Sequence, residues 1–408
     1  MRCGLLGEKL GHSYSPKIHS YLADYSYALF EKKPEELMSF LRNGDFSGLN
    51  VTIPYKKAVI PYCAELSETA KRLGAVNTIV KRADGTLVGH NTDYFGFSSM
   101  LDRSGLSVFG KKALVLGSGG ASATVVAVLE ERNADVVIVS RSGENNYDNL
   151  HQHSDAALIV NATPVGMYPN TGISPLDISL FPNLEGVLDL VYNPARTQLL
   201  LDAENRGLVI ENGLWMLVAQ AKESAEWFAE SSIPNDRIPY IHRILRGQME
   251  NIILIGMPGC GKSTVGRLLA DATGRQFVDA DTMIEKAAHK TIPEIFAESG
   301  EAGFRKIETD VLKELGTQSG LVIATGGGCV TKDVNYPLLH QNGTIVWLKR
   351  DINILPTDGR PLSKSGGLKA MYAIRKPLYE QFADVVVDND ETPEQTAQNI
   401  LTILTEDR

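Results

Sequence analysis

The stretch NIILIGMPGCGKSTVG, beginning at Asn251, constrains the fold more than any other part of this 408-residue chain. An apolar, β-branched run reads as a buried strand. Gly256–Ser263 (GMPGCGKS) then satisfies G-x-x-x-x-G-K-[ST] directly before a helical pattern. A turn this rich in glycine lets backbone N–H groups converge on one point, and a helix starting there adds its positive end, so the loop is a cradle for phosphate oxygens. Gly256, Gly259, Cys260, Gly261 and Thr264 would form the cradle of an ATP site, Lys262 would reach the β- and γ-phosphates, and the Ser263 hydroxyl would meet Mg²⁺. The motif specifies nucleotide binding and leaves the reaction open, because switches, motors and kinases share it.

From Met249 the chain looks like the start of a protein, yet 248 residues precede that methionine. Apolar strand-like runs alternate with helical ones from about residue 100 (KALVLG, ATVVAVLEER, DVVIVS, ALIVNAT, GVLDLVY) and again from 249 (NIILIG, GLVIATGGG, GTIVWLKR, DVVVDND), the order expected of βαβ units and parallel sheets. Residues 1 to 95 mix strand-like pieces with helical ones. The helical run GLWMLVAQAKESAEWFAES is expected to pack back on that first region. The expected class is therefore α/β. Its parts are a mixed α/β domain over 1–97 and 214–245, a dinucleotide-type Rossmann domain over 98–213 and a phosphate-loop domain with a parallel sheet over 249–408. They join through the short, partly basic stretch IPYIHRILRGQ.

A net charge of −9 and a pI near 5.5 argue against nucleic acid or an anionic membrane as partner. No run approaches the roughly 20 apolar residues of a membrane span, and the N-terminus has no apolar leader region. Cys3, Cys63, Cys260 and Cys329 lack metal or disulfide spacing, so reduced thiols and a cytoplasmic location are expected. Oligomeric state is not legible.

The second glycine motif is GSGGAS, Gly117–Ser122, which follows the strand KALVL and precedes a helix. It matches G-x-G-x-x-[small], with Ser122 where Gly or Ala is usual, and a plain tight turn is the competing reading. The next strand ends in Ser140-Arg141-Ser142, where a site for NAD would carry Asp or Glu. A guanidinium flanked by hydroxyls suits a 2′-phosphate and favours NADP.

The company these motifs keep carries two resemblances. HSYSP, NVTIPYKK, GAVNT, NTD, NATPVGM, DLVYNP and NGLWMLVAQA resemble shikimate dehydrogenase, motif by motif and in order, over residues 1 to about 245. FVDADTMIE, GEAGFRKIE, the triplet Gly326-Gly327-Gly328, DGRPL and IRKPLY resemble shikimate kinase over 249 to 408. The first resemblance implies Lys56 and Asp93 as the catalytic pair, with Ser13, Ser15, Asn50, Thr52, Asn77, Tyr192 and Gln220 on the substrate. NADP would meet Gly117, Ser118, Gly119, Gly120, Ala121, Ser140, Arg141, Thr163 and Gly213. The second implies Asp281 as the base on the accepting hydroxyl, Asp279 in the outer shell of the magnesium held by Ser263, and Arg360 closing over ATP. Arg305, Arg375, Gly326, Gly327 and Gly328 would hold the acid substrate, with Glu308 beside them. The chain departs from the kinase pattern in DINILPTD, which offers no arginine to lie over a nucleotide base.

Read singly, each polar residue has a bland alternative as a turn former, a helix cap or a solvated charge. In this order the two resemblances imply a fusion that reduces 3-dehydroshikimate and phosphorylates shikimate, using NADPH, ATP and Mg²⁺. The rivals are an NAD-dependent quinate/shikimate dehydrogenase in the first half, or one half reduced to a ligand-binding regulatory module.

Overall fold

The computed structural model describes residues 1–11, 13–355 and 367–406, so Arg360 lies outside the described residues. The chain divides into two compact units. One comprises Met1–Val165, Ser174–Tyr192 and Asp202–Ile244, the other Gly166–Ile173, Asn193–Leu201 and Leu245–Arg408.

The first unit contains two sheets. Strands β1 (Arg2–Gly7), β2 (Ser26–Glu31), β3 (Gly48–Val51), β4 (Glu65–Leu66), β5 (Thr78–Lys81) and β6 (Leu87–His90) lie in the order β2-β1-β3-β5-β6-β4. β1 pairs in parallel with β2 and β3, while β5 runs antiparallel to β3 and β6. Helices α1 (Ser15–Leu22), α2 (Pro34–Asn43), α3 (Glu68–Leu73) and α4 (Asp93–Ser104) intervene. Their boundaries follow local chemistry: Ser67 accepts the Ala70 N–H to start α3, and Gly74 at φ +58° ends it.

The second sheet is wholly parallel, as its apolar runs predict. β7 (Lys112–Leu116), β8 (Asp135–Val139), β9 (Leu158–Asn161), β10 (Gly186–Asp189) and β11 (Val209–Asn212) take the order β11-β10-β9-β7-β8, with α5 (Gly120–Glu131) and α6 (Gln198–Asn205) as connections. Leu114, Val115, Leu116, Ile159 and Val160 are fully buried, which is why these strands read as continuous apolar runs. Helix α7 (Leu214–Ala229) returns to pack on α4 and α1, as expected. The approach to α4 is close. A Cβ on Gly96 would stand 2.8 Å from the Met216 carbonyl oxygen and 2.9 Å from Gln220 Cβ, so only glycine admits the contact.

The join differs from its expected form as a short basic stretch poor in apolar residues. Residues 237–249 form a helix, α8 (Arg237–Met249), and Ile238, Ile241, Leu245 and Met249 are all buried on it. Their spacing of three, four and four residues is one face of a helix, with the basic residues interleaved on the others.

In the second unit β12 (Asn251–Ile255), β13 (Gln276–Asp279), β14 (Leu321–Ala324), β15 (Gly343–Lys349) and β16 (Val385–Asp388) form a parallel sheet in the order β13-β14-β12-β15-β16. The helices are α9 (Lys262–Thr273), α10 (Ala280–Ala288), α11 (Ile292–Thr317, broken at Gly300), α12 (Asn335–His340), α13 (Gly367–Phe382) and α14 (Pro393–Glu406). Residues 193–201, expected inside the Rossmann range, group with this unit: Arg196 N donates to Gln341 O at 2.8 Å and Arg196 Nη1 to His340 O at 3.1 Å. Among the described residues no helix is long and apolar enough to cross a membrane.

Candidate active sites

In the first unit Lys56 and Asp93 meet. Lys56 lies five residues past β3 and Asp93 is the first residue of α4, whose N-terminal end favours a carboxylate. Lys56 Nζ donates to Asp93 Oδ2 at 2.6 Å, with the two side chains 25% and 13% exposed. The pair is therefore held, partly desolvated and still open to a small molecule.

Beneath it lies a buried polar net. Asn77 Nδ2 donates to Thr92 Oγ1 at 3.1 Å, and Asn77 Oδ1 accepts the Thr92 N–H at 2.7 Å. Thr92 Oγ1 stands 3.5 Å from Gln220 Oε1, and Asn50 Nδ2 donates to Thr78 Oγ1 at 3.3 Å while Asn50 Oδ1 accepts from Tyr27 OH at 2.7 Å. The structure thus brings Asn50, Asn77 and Gln220 into one region, with Thr78, Thr92 and Tyr27 as connecting residues that motif reading passed over. Thr92 was within reach, since it is the middle residue of NTD. Ser13 and Ser15 are adjacent, the Ser15 N–H donating to Ser13 Oγ at 3.2 Å. Tyr192 sets its ring edge-on to Tyr14 at 6.4 Å, and burial pushes the Tyr192 phenol up. Thr52 is fixed through its backbone, which donates to Leu6 O at 2.9 Å.

One further acid senses the pair. Glu223, one turn beyond Gln220 on α7, has its carboxyl pushed up to about 8 by burial and then by Glu226, with Asp93 adding and Lys222 opposing. Its Oε2 is buried without a hydrogen-bond partner among the described residues.

The glycine turn after β7 fits a dinucleotide. Gly117 adopts φ +105°, and a Cβ there would stand 3.0 Å from Thr163 Cγ2. Gly119 and Gly120 face open space, with no atom within 4 Å of a built Cβ, at the start of α5. That leaves room for a pyrophosphate at a helix N-terminus. Ser122, which stands where Gly or Ala is usual, donates from Oγ to Gly117 O at 2.6 Å and is 1% exposed, so its hydroxyl fastens the turn. Ser118 is exposed beside them and Ala121 half-buried. Past β8 the loop closes through Ser140 N to Asn145 O at 3.1 Å, which leaves Arg141 exposed at its start. Thr163 Oγ1 donates to Asn161 Oδ1 at 2.6 Å. Gly213 is required by the Leu190 carbonyl, 2.0 Å from where a Cβ would stand.

In the second unit Gly256, Gly259 and Gly261 take φ of +143°, +83° and +101°, conformations a side chain disfavours, and so build the phosphate loop. Lys262 Nζ folds onto Gly256 O at 2.9 Å and Met257 O at 3.1 Å. Ser263 Oγ donates to Asp279 Oδ2 at 2.8 Å, while Asp279 Oδ1 accepts from Asp281 N at 3.1 Å and so caps α10. A hydroxyl and a carboxylate this close, beside a phosphate cradle, suit Mg²⁺, which takes few protein ligands and keeps water and phosphate oxygens for the rest.

Asp281 lies deeper. Burial and then the Asp279 charge push its carboxyl up, while Lys262 and Arg305 oppose. Arg305, 6% exposed, donates from Nη1 to Glu308 Oε2 at 2.8 Å and from Nη2 to Glu301 Oε1 at 3.2 Å. Arg375 Nη1 and Tyr379 OH both donate to Gly327 O. The triplet is packed to contact. A Cβ on Gly326 would stand 2.8 Å from Asp281 Oδ1, on Gly327 2.7 Å from Pro258 Cδ, and on Gly328 2.1 Å from Arg305 Nη2. Two guanidiniums and a proton acceptor therefore surround a glycine floor, the arrangement needed to grip a carboxylate and present a hydroxyl.

Comparison with known proteins agrees with this geometry. The family model described as shikimate dehydrogenase substrate binding domain matches residues 5–79, and that described as shikimate kinase matches 258–405. The shikimate dehydrogenase (NADP(+)) of Clostridium perfringens is 38% identical over 245 residues, covering 55% of this chain and 90% of that protein, and that of Clostridium beijerinckii is 33% identical, covering 60% and 98%. Among solved structures, shikimate dehydrogenase 1 from Peptoclostridium difficile is 37% identical with a TM-score of 0.56 and covers 60% of this chain and 97% of its own. A Thermus thermophilus shikimate 5-dehydrogenase, solved in complex with NADP(H) and shikimate, is 32% identical with a TM-score of 0.55, covering 60% and 99%. The chain belongs to the shikimate dehydrogenase family over its first part and carries a shikimate kinase domain after it, which makes it a bifunctional shikimate-pathway enzyme.

Proposed function

We propose that the chain reduces 3-dehydroshikimate to shikimate with NADPH and phosphorylates shikimate to shikimate 3-phosphate with MgATP. The observation that carries the first step is the 2.6 Å contact between Lys56 Nζ and Asp93 Oδ2 at the open edge of the Asn50–Asn77–Gln220 net. Nicotinamide supplies the hydride when bound. Lys56 then gives its proton to the alkoxide forming on the substrate, and Asp93 holds the ammonium in line and accepts from the same hydroxyl. Ser13 and Ser15 take the carboxylate. Arg141, exposed beyond β8, reads the 2′-phosphate that distinguishes NADPH from NADH.

In the second step Asp281 accepts the proton of the hydroxyl that attacks, and its raised affinity for protons suits it to that role. Arg305 and Arg375 hold the acid, Lys262 steadies the phosphates, and Ser263, with Asp279 in the outer shell, would hold the metal, whose charge would offset that on the transferring oxygens. The domain limits 1–97 with 214–245, 98–213 and 249–408 belong to the same proposal.

The test is a coupled assay with 3-dehydroshikimate, NADPH and ATP that follows NADPH loss and ADP formation separately. Lys56→Ala should lower the first by about 10²- to 10⁴-fold and leave phosphorylation of added shikimate intact. Asp281→Asn should do the reverse. Near-parental NADPH oxidation by the lysine variant, or near-parental ADP formation by the aspartate variant, refutes that residue's role.

A further inference from the structure

The buried polar net beneath Lys56 has a direction, and one backbone amide imposes it. Asn77 Oδ1 accepts the Thr92 N–H at 2.7 Å, and since a backbone N–H meets only an acceptor, the oxygen of that side chain is the atom on that side. The Thr78 hydroxyl stands 3.1 Å from the same oxygen and donates to it, because otherwise two oxygens would face each other with no proton between them. A hydroxyl has one proton. With that proton spent, Thr78 Oγ1 only accepts from Asn50 at 3.3 Å, which makes the nearer atom of Asn50 its Nδ2 and leaves Oδ1 on the far side. There Tyr27 OH donates at 2.7 Å. The sense of donation therefore runs from Tyr27 to Asn50, Thr78 and Asn77, and on from Asn77 Nδ2 to Thr92 Oγ1 at 3.1 Å.

Direction decides what a bound molecule meets. Each amide nitrogen carries two protons and gives one to the net, so Asn50 and Asn77 keep a second N–H to offer. Asn50 is the member whose orientation is set from outside the recognised motifs. Tyr27 suits that task. It lies on β2 and Asn50 on β3 with β1 between, about 10 Å apart at ordinary strand spacing, a gap that a side chain of tyrosine's length closes. Its ring stacks on the buried His19 ring at 4.0 Å and 12°, and His19 Nδ1 meets Tyr25 OH at 2.6 Å. Burial pushes the Tyr27 phenol up, so the hydroxyl keeps the proton it donates.

We propose that Tyr27 is a positioning residue of the reductase site, its hydroxyl fixing which way the Asn50 amide faces and so turning the second N–H of Asn50 to an oxygen of the substrate ring. The inference rests on the proposed reduction of 3-dehydroshikimate at this site. Tyr27→Phe removes the hydroxyl and keeps the ring. Asn50 Oδ1 then lacks its donor, and turning the amide over would set that oxygen against Thr78 Oγ1, whose proton is spent. NADPH oxidation by the full chain should show KM for 3-dehydroshikimate raised about 3- to 12-fold, the worth of one neutral hydrogen bond, with kcat and KM for NADPH close to the parent's. A loss confined to KM marks binding shared by ground and transition states, and the steady NADPH value is the check on folding. Tyr25→Phe removes a hydroxyl from the same cluster but outside the line of donation, and should lower Tm while leaving both KM values alone. In an Asn50→Ala background Tyr27→Phe should add nothing, because the residue it acts through is gone. A rise below threefold in Tyr27→Phe overturns the inference. So does an undiminished effect in the Asn50→Ala background, an equal rise in KM for NADPH, or an equal effect of Tyr25→Phe, since Tyr27 would then act by packing. A parent that does not reduce 3-dehydroshikimate overturns the proposed function and this inference together, whereas parental turnover with an unmoved KM in Tyr27→Phe overturns this inference alone.

Discussion

Gly328→Ala should disable the kinase site by one methyl group. Gly328 has φ −108°, which any residue accepts, so backbone strain does not enter. The methyl would stand 2.1 Å from Arg305 Nη2 and 2.6 Å from its Cζ, where ordinary contact begins near 3.4 Å. The guanidinium must retreat by more than an ångström, and it is not free to do so. It is pinned by Glu308 Oε2 at 2.8 Å, and the Glu308 side chain is only 1% exposed. Parting a buried pair leaves a charge uncompensated at about 3–5 kcal/mol for full separation, so a partial shift costs a fraction of that. The larger effect falls on the substrate. Losing a charge-assisted contact to its carboxylate costs about 1.5–3 kcal/mol, or roughly 10- to 150-fold in KM for shikimate. The assay is ADP formation against shikimate concentration, with NADPH-dependent reduction by the same molecule as internal control. A shikimate KM within about twofold of the parent, with reduction intact, would refute the claim that Arg305 is held against Gly328 to grip the acid.

Arg141→Ala should raise KM for NADPH and leave NADH nearly untouched, since only one cofactor carries the charge being read; equal weakening of both in steady-state kinetics would make Arg141 structural. Glu223, with its pKa about 8 in the fold and near 4.5 when unfolded, keeps a proton that the unfolded chain releases between those values. Stability should therefore fall as pH rises through that window, by about 1.4 kcal/mol per unit from this group alone, and Glu223→Gln should flatten the slope. Urea titrations followed by tryptophan fluorescence would show it, as Trp215 and Trp227 both lie on α7, and an unaltered slope would refute the burial argument. Expressing 1–247 and 249–408 separately should give pieces of lower Tm than the intact chain, because the cut falls inside α8 and exposes Leu245 and Met249. Equal Tm values would show the join to be a dispensable linker.

What could be read in advance was whatever local chemistry enforces. The two glycine motifs need no partner to be recognised, because positive φ is written into them at Gly117, Gly256 and Gly261. The parallel strands were legible because burial on both faces leaves only apolar residues. Less legible were residues whose role arises from tertiary neighbours. Tyr27 and Thr78 are ordinary strand residues until Asn50 is placed between them. Asn389 sits 129 positions from the Cys260 carbonyl that its side-chain amide secures. α8 is a different case. Its apolar spacing was visible and was outweighed by the basic residues within it.

The contact at Gly96 has a consequence for how the reductase site keeps its dimensions. Gly96 lies one turn from Asp93 along α4 and meets α7 at Met216 and Gln220, and Gln220 stands seven residues after Gly213, the residue that caps the start of α7. α7 is thus a ruler of about 10 Å at helical rise, running from Gly213, which the proposed function puts at the cofactor, to Gln220, which it puts at the substrate. Gly96 is the stop against which that ruler rests. On the proposed function, reach between hydride donor, ring and proton donor is therefore set at a position that touches none of them. A single added methyl there would lift Gln220 away from Thr92 and Asn77 while leaving every residue that contacts substrate unchanged in identity, and inserting one residue between 213 and 220 would turn Gln220 by about 100° about the helix axis.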